Sequence, residues 1–232
     1  MNYRLKRSAA YALYAVGAFL YIYYFLIEMD SSVIMYPFTR IVLFGSGSMC
    51  VYFASLFLGR TVDAHSAKLI MKSTFRTFFV LYILLLITFT LFDDVFGRAT
   101  GDFIIWGNIP NWSEIKESIN IIPFRTVRLY IRNIKNDIIT VMDFAINIVG
   151  NICAFMPLSL FLPLLFPKLK SRGKFILTVS VVVLSIELMQ LVSQRGSCDI
   201  DDLILNVSGA MLMYEILRTK PLQQLIHSIT LQ

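Results

Sequence analysis

Six uninterrupted apolar runs, each about the length of a membrane-crossing helix, constrain this chain more than any other feature. They lie at Ala9–Ile27, Ile41–Gly59, Thr77–Phe96, Phe144–Phe166, Phe175–Ser193 and Leu203–Leu217, the last beginning near Ile200. A hydrocarbon layer about 30 Å thick needs about 20 apolar residues of helix to cross it. The runs are continuous and lack the alternation of outer-membrane strands, so helices are expected and a barrel is not. Composition agrees. At 57% hydrophobic and 16% charged, there is too little polar surface to coat a water-soluble domain. The same numbers exclude disordered, collagen-like and disulfide-scaffold classes. The expected fold is all-α: a polytopic membrane helix bundle of about six transmembrane helices plus one amphipathic outer-surface helix.

Charge predicts orientation. Arg4, Lys6 and Arg7 precede the first run as in a signal peptide, but no small-residue cleavage site follows, so a retained helix is expected. With the N-terminus inside, 13 of the 21 Lys and Arg fall in inner segments, while only Asp63 and Glu215 of the 15 acids do. That is the asymmetry of a multi-pass protein of the cell (plasma) membrane with both termini cytoplasmic. The net charge of +6 therefore reflects topology and does not imply nucleic acid as a partner. Cys50, Cys153 and Cys198 form neither a disulfide framework nor a CxxC site. The expected division is a three-helix membrane segment over 1–96, an extracytoplasmic loop over 97–143, a three-helix core over 144–220 and a cytoplasmic tail over 221–232.

The long outer segment carries its own signal. Trp106 and Trp112 suggest contact with lipid headgroups. After Pro123, the sequence FRTVRLYIRNIKNDIITVMDF places Arg125, Arg128, Arg132 and Lys135 within about 80° of one another at 100° per residue. Val127, Tyr130, Ile131, Ile134 and Ile138 cover the adjacent face. Such a basic amphipathic helix suits a membrane surface and lipid phosphates; an ordinary surface helix with a solvated face has the same pattern.

Polar residues inside spans are costly and usually face the bundle interior. Here they concentrate in the last three runs. Asn147 and Asn151 share one helix face. Glu187, Gln190 and Gln194 share another. Asp199, Asp202 and Asn206 repeat the i, i+3, i+7 spacing, with Asp201 turned away. Three stripes at one depth predict a shared, outward-facing polar pocket. Each piece also has a plain structural reading: the asparagines as helix bridges, Asp201 or Asp202 as a helix cap, and Glu187 as a neutral group hydrogen-bonded near Gln190 or as a partner of Arg195. Asp199, Asp201 and Asp202 are an unspecific set for a hard cation, so no metal is assigned and the cofactor is left open.

These residues resemble the VanZ-like family of bacterial membrane proteins over roughly Asn120 to Tyr214. The resemblance rests on NIIPF (Asn120–Phe124), on NIVGNICAFMPL with Asn147, Gly150, Asn151, Phe155 and Pro157, on SIELMQ with Ser185, Glu187 and Gln190, and on R-GSCDIDDLILNVSGA with Arg195, Asp199, Asp201, Asp202, Asn206 and Gly209. Ser159 and Met213 depart from the pattern, standing where the family usually has glycine. The resemblance implies a cell-envelope setting and a link to resistance against teicoplanin-type glycopeptides.

Two functions follow as expectations. In the first, the protein binds without catalysis. Its partners are membrane lipids and possible ligands of one class, a lipid-linked cell-wall precursor or a lipoglycopeptide. Arg125, Arg128 and Arg132 contact phosphate, while Asn147, Asn151, Gln190, Arg195 and Asn206 hold polar groups. In the second, a membrane-embedded hydrolase or transferase acts on a lipid or glycan, with desolvated Glu187 as acid and Asp199 or Asp202 as base.

Overall fold

The computed structural model describes residues 3–28, 37–92, 116, 118–193 and 196–230. The chain forms two compact units, one of residues 1–79 with 224–232 and one of residues 80–223. It is a helical membrane protein, and five helices among the described residues are long and apolar enough to cross a bilayer.

In the first unit, α1 (Tyr3–Glu28) packs along α2 (Pro37–Gly59). Their closest approach is made by small residues. A Cβ on Gly17 would lie 2.7 Å from Val51 Cγ2 and 3.1 Å from the Gly47 carbonyl oxygen. Close backbone approach of this kind is how membrane helices gain packing without a hydrophobic driving force. Hydroxyls tie in the third helix: Tyr14 meets Ser55 at 2.8 Å, and Ser55 meets Thr74 of α3 (Ala64–Ile87) at 2.6 Å. Helix α3 starts at Ala64, well ahead of the expected Thr77. Asp63 caps it, accepting from the amide and hydroxyl of Ser66 at 3.0 and 2.7 Å. Its first turns carry Lys68, Lys72 and Arg76, whose long stems let a helix run past the hydrocarbon boundary. Where a tail is expected, α9 (Lys220–Thr230) forms, and the Tyr52 hydroxyl donates to the Ile229 carbonyl at 3.3 Å.

The second unit takes up the chain at Val80. Helix α3 ends in a π-helical turn over Thr88–Phe92. After the undescribed segment come strand β1 (Ile119–Asn120), α4 (Arg125–Lys135), α5 (Val141–Ala154), α6 (Leu158–Leu165), α7 (Arg172–Val192), strand β2 (Cys198–Asp199) and α8 (Ile200–Leu217). The expected fourth span forms as α5 and α6 in succession, and the joined stretch Phe144–Leu165 is long and apolar enough to cross a bilayer. Pro157, which has no N–H to donate, sits in the turn between them. Helix α8 is the expected sixth span; with Asp201, Asp202 and Glu215 it carries three acids and is not among the five helices long and apolar enough to cross a bilayer.

Helix α8 is the hub, packing on α5, α6 and α7. A Cβ on Gly209 would overlap the Ile152 carbonyl of α5, so the two backbones touch there. Ser159, one of the two departures from glycine, is buried and donates to the Ala210 carbonyl at 2.6 Å. The far ends of α7 and α8 are joined by Phe175 stacked on Tyr214 at 4.3 Å and by a two-pronged pair between Arg172 and Glu215 at 2.7 and 2.8 Å. That ion pair is exposed and contributes little on its own.

Candidate functional site

The two boxes richest in polar residues meet although some 80 residues separate them. Strands β1 and β2 pair in parallel, Ile119 opposite Cys198 and Asn120 opposite Asp199. This short bridge brings the Pro123 turn against the start of α8. Asn120 Nδ2 donates to Asp199 Oδ1 at 2.9 Å and to Thr126 Oγ1 at 3.2 Å, while its own Oδ1 accepts from the Ile122 amide at 3.2 Å.

Asp201 is not turned away. It is 2% exposed, and its carboxylate receives the first amides of α4: Phe124 N–H on Oδ1, and Thr126 and Val127 N–H on Oδ2 at 2.9 and 3.2 Å. The opening turn of any helix leaves amides without intrahelical acceptors. Here a residue 75 positions away supplies the acceptor. An anionic cap at the positive end of the helix dipole also offsets the repulsion that Arg125 and Arg128 feel there. The Thr126 hydroxyl donates to Asp199 Oδ2, and the Asp201 amide donates to Asp199 Oδ1 at 2.8 Å, so Asp199 caps α8 while bracing α4. Phe124 pays for this arrangement with a left-handed backbone, φ 61°, a conformation that costs a non-glycine residue about 1–2 kcal/mol.

Glu187 of α7 is buried, and its Oε2 accepts the Asp199 amide at 3.2 Å. Asn151 of α5 donates through Nδ2 to Asp202 Oδ1. The hydrophilic edges of α5, α7 and α8 therefore meet through Asn151–Asp202 and Glu187–Asp199. Gln190 instead donates to the Thr90 carbonyl at 2.8 Å, satisfying a backbone group of the π-helical turn. Asn147 lies half-buried one turn before Asn151, and its side chain makes no hydrogen bond to a described residue. Asn206, 3% exposed, is one turn beyond Asp202, and its Oδ1 has no donor among the described residues. Gln194 and Arg195, with the proposed pairing of Arg195 to Glu187, lie outside the described residues, as do Trp106 and Trp112.

The basic helix forms as expected, but its apolar side has a different neighbour. Thr126, Val127, Tyr130, Asn133 and Ile134 are half-buried, α4 packs on α8, and the Tyr130 ring lies 5.9 Å from that of Phe144 on α5. Much of the face read as lipid-seeking therefore covers protein. Arg125, Arg128, Arg132 and Lys135 remain exposed, with no carboxylate partner among the described residues. Exposed Ile121, Ile122, Phe124, Leu129 and Ile131 flank them.

The three aspartates do not form a cation cage. Their oxygens address different partners, and no group of three His, Cys, Asp or Glu among the described residues is disposed to hold a metal. Burial, together with the carboxylates of Glu187 and Asp199, pushes the Cys198 thiol up, away from its nucleophilic form. Sequence reasoning missed Thr126, and it missed that the helix Asp201 caps is α4 and not its own. A Pro-containing turn opening directly into a basic helix with Phe124, and no Ser, Thr, Asp or Asn, at the N-cap position was the available signal that a cap must come from elsewhere. A family model described as VanZ/LLP1 matches residues 79–221, which covers the whole constellation. No curated protein and no solved structure matches the chain.

Proposed function

The chain belongs to the VanZ/LLP1 family, and from that premise we propose that it is a non-catalytic binding protein of the cell envelope. It holds the anionic headgroup of a lipid-linked precursor or a lipidated antibiotic at the outer leaflet, and so contributes to resistance against teicoplanin-type glycopeptides. One observation carries this reading: a helix presenting Arg125, Arg128 and Arg132 outward is anchored at its N-terminus by Asp201 and Asp199. Cations three and four residues apart on a helix are neighbours, and guanidinium groups match phosphate geometry. The flanking apolar side chains suit the tail of an amphiphile. In this reading both termini face the cytoplasm, the six helices span the plasma membrane, and Asn147, Asn151 and Asn206 address polar parts of the ligand.

The catalytic alternative would draw its base from a carboxylate that is already engaged. Asp199 accepts from Asn120, Thr126 and the Asp201 amide, and Asp202 accepts from Asn151. Glu187→Gln tests the choice directly, because it preserves size and hydrogen bonding but ends proton exchange. A strain carrying it should keep most of its teicoplanin resistance, whereas Arg128→Glu with Arg132→Glu should lose it. Loss in the first and retention in the second would exchange the two readings.

A further inference from the structure

The first unit contains a cavity of about 570 Å³, outside the stretch that the family model matches. It is a trench walled by Tyr14, Ala18 and Tyr21 of α1, Val51 and Leu58 of α2, and one face of α3 from Leu69 through Ser73 to Thr77. Those intervals correspond to about 10–12 Å along the helix axes at 1.5 Å per residue. The trench is therefore elongated along the helices, and its lining is mainly apolar. Its size falls within the ordinary range for small-molecule sites. The Tyr14–Ser55–Thr74 hydroxyls bond to one another, so they do not need a polar guest.

Charge identifies the occupant. On a helical projection of α3, Arg76 and Lys72 lie about 20° and about 60° from Leu69, beside the trench face formed by Leu69, Ser73 and Thr77. Both cations are exposed, four residues apart, and without a carboxylate partner among the described residues. An apolar trench running along the helices, with two cations along one edge in the N-terminal half of α3, has the complementary pattern to an acyl chain attached to a phosphate. We propose that this unit binds one anionic phospholipid, with a chain in the trench and its phosphate at Lys72 and Arg76.

The test uses the full chain in nanodiscs, with Trp106 and Trp112 replaced by Phe and a single reporter, Leu69→Trp, in the trench. Phosphatidylglycerol or phosphatidylcholine with brominated chains is added at increasing mole fraction. Val16→Trp, on the opposite face of α1, reports ordinary lipid contact. Quenching of the trench reporter should reach half its maximum at a brominated phosphatidylglycerol fraction on the order of tenfold below that for phosphatidylcholine, as two juxtamembrane cations would produce. Lys72→Gln with Arg76→Gln should abolish that preference. Ala18→Phe, or Thr77→Phe at the other end should the first fail to fold, should abolish the high-affinity phase. Equal quenching by the two lipids, or a trench reporter that behaves like Val16→Trp, would overturn the proposal. So would a reporter that lipid does not quench at all, since a helix of this chain or of a second copy would then cover the trench.

Discussion

At the residue scale, Asp201 is the key to the site. One carboxylate accepts three backbone amides of a helix it does not belong to, and hydrogen bonds to a charged group are each worth about 1.5–3 kcal/mol. Asp201→Ala should therefore raise amide exchange of Thr126 and Val127 by tenfold or more while leaving α7 protected; unchanged exchange would show that the cap contributes nothing. Asp201→Asn, which keeps one acceptor oxygen, should fall between. A helical wheel drawn on the last span turned Asp201 away because a wheel sees only its own helix. The partner amides are distant in sequence, and amides carry no side-chain signature. Asn151 and Asp202 were legible as facing residues because both sit in otherwise apolar spans, where a polar group without a partner is costly.

At the element scale, apolar run length located the helices well and their ends less well. The start of α3 was hidden because Lys68, Lys72 and Arg76 interrupt the apolar pattern without interrupting the helix. Asp63 provides a check on that start. The Ser66 hydroxyl, then its amide, hold the Asp63 carboxyl below the usual range. A lowered pKa stabilises the folded state above the unfolded value of about 3.9 and ceases to do so as pH falls through the folded value. Amides of the first turn of α3 should accordingly lose protection as pH drops below about 4, and Asp63→Asn should flatten that response. The crossing of α5 and α8 makes a sharper demand. Because a Cβ at Gly209 would overlap the Ile152 carbonyl, Gly209→Ala must push two backbones apart. Overpacking of this kind costs about 1–3 kcal/mol or more, read as a lowered unfolding midpoint in detergent. A midpoint equal to wild type would mean that the two helices are not in backbone contact there.

At the scale of the whole molecule, the apolar runs and the charge asymmetry made a membrane bundle legible from composition alone. The function was not, because it depends on which helix covers which. The basic helix looked like a free amphipathic element, yet its apolar side packs on the α5–α8 pair and its Arg face is left outward. That converts a generic membrane-surface helix into a fixed display of cations. The most direct measurement is the affinity of the full chain, in nanodiscs of phosphatidylcholine alone, for farnesyl diphosphate, an amphiphile with a phosphate head and a short lipid tail. Wild-type protein should bind it in a salt-sensitive manner, and the combined replacement of Arg125, Arg128 and Arg132 by Glu should weaken binding at least tenfold while helix content stays unchanged. Equal affinity in the two proteins would contradict the account.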